Sequence, residues 1–184
     1  MDPKLQKKIN KLNSIERVPA EEMFELLSIK ESDNILDLGA GTGYISLAIA
    51  KLVNTVYAFD MDENILAYLG TQAKDRGISN VQTIAGDFRE IPLDDKLVNI
   101  AFASISLHEV QPLSTALKEI NRVLEDKGLL LCIDFEETAS TSGRRVSSKD
   151  MAAEMQNAGF TIVDKILPTT KIMNQPVYII LAQN

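Results

Sequence analysis

Residues 36–50 read LDLGAGTGYISLAIA. A short apolar run breaks at Gly39, Gly41 and Gly43, and a helical pattern follows. Glycines in a tight strand-to-helix turn let a ligand touch main chain, and the helix start offers free amide donors. That much suits a dinucleotide as well as other nucleosides. Two details separate them. The dinucleotide fingerprint G-x-G-x-x-G needs a third glycine where Tyr44 stands, and no Gly-Lys-Ser/Thr follows for a phosphate loop. Asp37 lies two residues ahead of the first glycine. A carboxylate there disfavours a diphosphate and favours a ligand with a cationic group.

Outward from this turn, strands and helices alternate. Asn34–Leu38 reads as a buried strand ended by Gly39, and Ile45, Ala48, Ile49 and Leu52 share a helical face after it. Residues 55–59 read as a second strand, ended by Asp60. Asp62 caps a helix with Ile65, Leu66 and Leu69 on one face and Gly77 past its end. Val81–Ala85 reads as a third strand, closed by Gly86 and Asp87, and 97–103 as a fourth. Pro112 opens a helix carrying Leu113, Leu117, Ile120 and Leu124, and Lys127 with Gly128 turns the chain into a fifth strand at 129–135. Residues 140–148 read as a loop. Ser147 and Asp150 resemble a weak capping box for a helix at 149–158, which Gly159 ends. Strands near 160–166 and 177–181 have no crossover helix between them, so they should pair antiparallel. Residues 4–13 and 19–28 read as helices ahead of the first strand.

The pattern predicts one α/β domain over residues 1–184. It is a Rossmann-like, doubly wound sheet of about seven strands, mostly parallel with the last antiparallel, with helices on both faces. Residues 1–30 and the loop at 140–145 are expected to form a lid. Ligands bind beyond the carboxyl ends of such strands. The loops after Leu38, Phe59, Ala85 and Ala103 are therefore the place to look.

Composition narrows the function. The chain has 184 residues, 45% apolar and 24% charged, with a net charge of -7, which fits a single soluble domain rather than a general nucleic-acid binder. Its basic clusters are small: Lys4, Lys7, Lys8 and Lys11, then Arg144 and Arg145, read as solvated charge, the two arginines having closure over an anionic substrate as the alternative. Cys132 is the one cysteine, inside an apolar run, and reads as core packing; with no disulfide possible within the chain, a cytoplasmic setting is expected. No apolar run is long enough to span a membrane, and the polar first residues lack a signal peptide's apolar core. A lone histidine and a lone cysteine make no metal cluster. The sequence does not give the oligomeric state.

With these segments in place, the chain resembles the class I S-adenosylmethionine-dependent methyltransferases over nearly its whole length. ILDLGAGTGYISLAIA looks like their first motif, and VYAFDMDENIL like their second-strand motif with its terminal acid. IAGDFREIPL, NIAFASISLHEV and LKEINRVLEDKGLLLCIDF resemble the later strand segments. The nearest flavour is the small-molecule group of ubiquinone/menaquinone-biosynthesis and metalloid methyltransferases. Two positions depart from the pattern: Asn99 replaces a frequent aspartate, and residues 125–128 replace a proline–glycine–glycine turn.

The resemblance implies S-adenosylmethionine as cofactor and assigns roles around it. Asp60 takes the ribose hydroxyls, and Met61 lies against adenine or else belongs to the core. Asp87 accepts from the adenine amino group, and Phe88 contacts the ring or else merely packs. Asp37 approaches the methionine amino group directly or through water, Tyr44 lies beside the methionine portion or else leaves its hydroxyl in water, and Ser104 offers a backbone contact near the sulfur. Gly39, Ala40, Gly41, Gly43 and Gly86 complete the cofactor-binding set. His108, the only histidine, follows the fourth strand. It is either a catalytic or substrate-contacting group, suited to accept a proton near neutral pH, or structural. Glu109 beside it is a lesser candidate.

The acceptor is expected to be a small molecule. Amino-methylating relatives carry Asp/Asn-Pro-Pro-Tyr/Phe after the fourth strand, where this chain has Ser104, Ile105, Ser106 and Leu107. Cytosine-carbon enzymes use a Pro-Cys pair, which Cys132 does not form. The competing readings are a non-catalytic module that binds the cofactor, a methyltransferase acting on protein or RNA, and a nicotinamide dehydrogenase.

Overall fold

The computed structural model describes residues 2–138, 143–167 and 171–184. Ser140, Thr141 and Ser142 of the expected loop lie outside the described residues. Two compact units make up the chain, Met1–Gly86 and Asp87–Asn184.

The first unit holds α1 (Pro3–Asn13), α2 (Ala20–Phe24), β1 (Asn34–Leu38), α3 (Ser46–Ile49), β2 (Thr55–Asp60), α4 (Glu63–Asp75) and β3 (Val81–Ala85). β2 pairs in parallel with β1 on one side and β3 on the other. In this register Leu38 lies opposite Phe59, and Asp60 opposite Ala85. The three carboxyl ends are therefore level, and the glycine turn, Asp60 and Gly86 leave the sheet from one edge. Ile35, Leu36 and Leu38 are all buried, as a parallel strand covered on both faces requires. Asp62 caps α4 through the amides of Asn64 and Ile65, and Lys8 of α1 pairs with the same carboxylate at 2.6 Å.

The second unit holds β4 (Val98–Ser104), α5 (Leu113–Val123), β5 (Leu124–Phe135), α6 (Ser148–Asn157), β6 (Thr161–Ile166), β7 (Lys171–Ile172) and β8 (Gln175–Gln183). β4 and β5 are parallel, while β8 runs antiparallel to β5, β6 and β7. Ser104 lies opposite Ile133, so the residues after both strands emerge together. Ser147 caps α6, its hydroxyl accepting from the Asp150 amide at 3.1 Å and donating to the Asp150 carboxylate at 2.8 Å, so Asp150 meets the serine side chain and not, as a capping box would, its backbone amide. No described helix is long and apolar enough to cross a membrane.

Three expectations about elements need correction. The helix at 19–28 closes after Phe24. The helix after the glycine turn is only Ser46–Ile49, tightening into a 3-10 turn at Ala50–Leu52 that leaves Leu52 47% exposed instead of on a buried face. Leu124 belongs to β5: its backbone is extended, it pairs with Val98, and residues 125–128 bulge before Leu129 rejoins Ile100.

Candidate functional site

The glycine turn takes its shape from positive backbone angles, φ 76° at Gly39, 53° at Gly41 and 92° at Gly43. The amides of Gly39 and Ala40 donate to the Phe59 carbonyl at 2.8 and 3.0 Å, which ties the turn to β2. A side chain at Gly41 would meet nothing closer than 3.8 Å. Space over the loop is therefore open, and only the angle demands glycine there.

Asp37 decides what the turn can hold. Its Oδ2 accepts from the Ser46 amide at 3.0 Å and the Ser46 hydroxyl at 2.5 Å. The start of α3, which would otherwise face a phosphate, is already capped by a carboxylate from β1. Burial is the largest influence on this acid and pushes its pKa up to about 6, against the bonds from Ser46. Asp60 raises it further and Arg17 lowers it. An ammonium group brought to Asp37 would relieve the cost of ionising it.

That cost has a measurable consequence. Below the ordinary value of 3.8, Asp37 is protonated in the folded and unfolded chain alike. As pH rises towards about 6, the unfolded chain ionises first, so the group's contribution to stability falls across that window. Urea unfolding of the wild type is expected to lose up to about 3 kcal/mol relative to Asp37→Asn between pH 4 and pH 7. Parallel pH profiles for the two proteins would contradict this assignment.

Asp60 is half-buried. Its Oδ2 accepts from the Gly41 amide at 2.9 Å and its Oδ1 from the Asp62 amide at 3.0 Å. Each oxygen keeps a second lone pair for a hydroxyl donor. The Gly86 amide donates to the Asp60 carbonyl at 3.1 Å. Met61 is 78% exposed, which removes the core alternative and leaves a thioether free to lie on a flat ring. Tyr44 does not leave its hydroxyl in water: it donates to the Val18 carbonyl at 2.8 Å. The Arg17 guanidinium stands 5.0 Å above the Tyr44 ring and donates to the Leu12 and Ile15 carbonyls. Sequence reasoning missed Arg17, since a single arginine in an aperiodic stretch carries no signal. Arg17, Thr42, Tyr44, Tyr68 and Gln72 line a cavity of about 640 Å³.

In the second unit Asp87 is gripped by Arg89. Its carboxylate accepts from the Arg89 amide at 2.9 Å and Nε at 2.8 Å, and pairs with a terminal guanidinium nitrogen. Those bonds hold its pKa down to about 2. Phe88 is half-buried beside it.

Ser104 ends β4, and the next residue bends the chain sharply. Ile105 has φ 56°, an uncommon angle for a branched side chain, and its amide donates to the Ile133 carbonyl at 2.8 Å. The bend leads into a 3-10 turn, Leu107–Glu109, which delivers His108.

His108 is buried, 2.7 Å from its Nδ1 to Oδ1 of Asp134. The approach is close in distance but not well aligned in angle, so it is a charge contact more than a straight hydrogen bond. Asp134 is fully buried, and its other contacts are the backbone amides of His108 at 3.1 Å and Phe135 at 2.8 Å. A carboxylate beside Nδ1 calls for the proton there and leaves Nε2 as an acceptor. Glu109 is 80% exposed, its carboxylate 3.9 Å from that Nε2.

Arg145 corrects an expectation of solvated charge. Its guanidinium lies 4.4 Å over the Phe135 ring and donates to the Arg144 carbonyl and Gln175 Oε1, both at 3.0 Å. Its Nε is buried with no partner among the described residues. Arg144 is exposed, as expected. Asp134 escaped sequence reasoning because it sits inside the apolar run LLLCIDF. Cys132 in the same strand is fully buried core, its thiol pushed up by burial.

Comparison with known proteins now bears on this geometry. The family model described as methyltransferase domain matches residues 36–132. The demethylmenaquinone methyltransferase of Staphylococcus carnosus is 29% identical over 135 residues, 71% of this chain and 55% of that protein. The chain thus spans about half the length of this curated relative. The solved structure of a SAM-dependent methyltransferase from Aquifex aeolicus matches with TM-score 0.83 at 24% identity, covering 96% of this chain and 97% of that one. The cyclase SpnF matches with TM-score 0.82 at 19% identity, covering 90% and 79%. These structural likenesses establish the α/β, Rossmann-like fold, a mixed and mostly parallel sheet with antiparallel end strands.

Proposed function

The chain belongs to the class I S-adenosylmethionine-dependent methyltransferases, and on that premise we propose that it methylates a small-molecule acceptor of the hydroxylated-ring kind, a quinol being the model. The observation that carries the cofactor is the capped start of α3. Asp37 satisfies it from within, so the glycine turn suits a cationic, phosphate-free nucleoside. When bound, S-adenosylmethionine supplies a methyl group already activated by its sulfonium.

The chain's own residues then hold and orient. Asp60 accepts from the ribose hydroxyls through the lone pairs that Gly41 and Asp62 leave free. The family resemblance assigns Met61 and Phe88 to adenine, and Asp87, its carboxylate shared with Arg89, to the adenine amino group. Gly39, Ala40, Gly41, Gly43 and Gly86 give close main-chain approach. Asp37 and Tyr44 attend the amino-acid end, and Ser104 offers backbone near the sulfur. His108 serves the acceptor. Positioning of this kind supplies much of the rate in an in-line transfer. A cytoplasmic setting goes with the reading; the Staphylococcus carnosus relative is named for a demethylmenaquinone, and the hydroxylated-ring acceptor is our extension from that quinone.

Release of S-adenosylhomocysteine across a panel of quinols, phenols, peptides and RNA tests this. Turnover with hydroxylated rings alone is the expected result. Tight cofactor binding with no turnover anywhere would instead identify a binding module, and binding of NAD in its place a dehydrogenase. Asp60→Ala is expected to weaken cofactor binding by about 1–3 kcal/mol, the scale for losing a buried polar partner. Calorimetry showing unchanged affinity would remove Asp60 from the site.

A further inference from the structure

Two oddities of the second unit meet on one aromatic ring. His108 approaches Phe135 edge-on, ring centres 6.4 Å apart and planes at 71°. Arg145 lies over the same ring at 4.4 Å. Behind the histidine is a carboxylate with no exposure to solvent, Asp134. On the arginine is a buried Nε with no partner among the described residues. A buried N–H left unpaired is costly and uncommon, and a cationic one is suited to an anion.

We propose that Asp134 is a positioning residue that holds His108 with Nε2 free to take the acceptor's proton, and that Arg145 receives the oxyanion so formed. This rests on the methyl-transfer reading above and adds the means of ionising the acceptor. The balance is simple. The acceptor's O–H bond breaks, the proton passes to His108 Nε2, and the electron pair stays on the acceptor oxygen. Arg145 Nε–H then donates to that oxygen. Asp134 offsets the charge gained by the imidazole. The charged groups around His108 are Asp134 from β5, Glu109 on its own turn and Arg145 across Phe135.

The other arrangement of the same groups is purely structural, with Asp134 tying His108 into the core and Arg145 covering Phe135. The two differ in what a bound phenol does. The probe is 4-nitrophenol, whose absorbance reports its ionisation, titrated into the wild-type chain without cofactor. The bound dye is expected to ionise at least tenfold more readily than the free dye. Arg145→Met should abolish that gain, and Arg145→Lys should restore part of it. Asp134→Asn should lower kcat about 100-fold, the scale of general-base catalysis, with KM and cofactor affinity unchanged. Should Asp134→Asn fail to fold, the half-exposed Arg145 pair of variants carries the test alone. A bound dye that ionises like the free one, no binding at millimolar dye, or equal spectra for wild type and Arg145→Met would overturn the proposal. Cofactor binding measured in parallel separates this failure from that of the methyl-transfer reading. An ionised dye with no cofactor affinity would leave the His108–Arg145 assignment standing and remove the transferase.

Discussion

Replacing His108 with alanine is expected to slow methyl transfer about 100-fold or more, the contribution of a positioned general base, while cofactor affinity stays unchanged. The reason lies in which contacts the substitution removes. Asp134 keeps two backbone donors, the amides of residue 108 and Phe135, so its buried carboxylate is not stripped bare. The 3-10 turn that carries residue 108 is fixed by main chain, with the Glu109 amide on the Ser106 carbonyl at 3.3 Å and the Val110 amide on the Leu107 carbonyl at 3.1 Å. The fold should therefore survive, and the loss should fall on kcat. Steady-state release of S-adenosylhomocysteine gives kcat, and calorimetry gives cofactor affinity. An unchanged kcat on the true acceptor would end the catalytic role of His108 and leave it a core histidine. A proportional fall in kcat and cofactor affinity would point to a collapsed site instead.

Much of the fold could be read in the chain because local and tertiary preferences agree there. Asn34–Leu38 and Val81–Ala85 were legible to the residue, since apolar runs between strong breakers leave few alternatives. Asp62 as a cap and Gly77 as a terminator are likewise local chemistry. The misses have tertiary causes. Leu124 continues the helical spacing of Leu113, Leu117 and Ile120, yet its pairing with Val98 draws it into the sheet. Leu52 fits the face of Ile45 and Ile49 only if the helix stays regular, and the 3-10 turn rotates it outward. For the site, Asp37 and the glycines stand out by their spacing, and Asp60 by the family resemblance. Asp134 does not, because a buried acid inside LLLCIDF gains meaning only from a histidine 26 positions away in the chain. Arg145 reads as a surface charge until Phe135 is seen beneath it.

Gly43→Ala is the other substitution with a large expected effect, and it acts on the fold that holds the cofactor turn. Two costs combine at this position. The backbone sits at φ 92°, a region that penalises any side chain by about 1–2 kcal/mol. A methyl group there would also lie 2.9 Å from Leu47 Cγ and 3.0 Å from Leu69 Cγ. Leu69 is fully buried with Ala40 and Ala58, so its branch point cannot swing away as a flexible tip would. Overpacking a filled core costs about 1–3 kcal/mol, which brings the expected loss to about 2–5 kcal/mol. This glycine thus does for α4 and the turn what the third fingerprint glycine does in dinucleotide folds: it permits close packing. Gly77→Ala is the internal control. Its φ is 67°, and no atom lies within 4 Å of the added methyl, so it should show the backbone cost alone. Urea unfolding of the two variants isolates the packing contribution as their difference. Equal destabilisation would mean that Leu47 and Leu69 yield freely, and that Gly43 is kept for its backbone angle and not for the space it leaves.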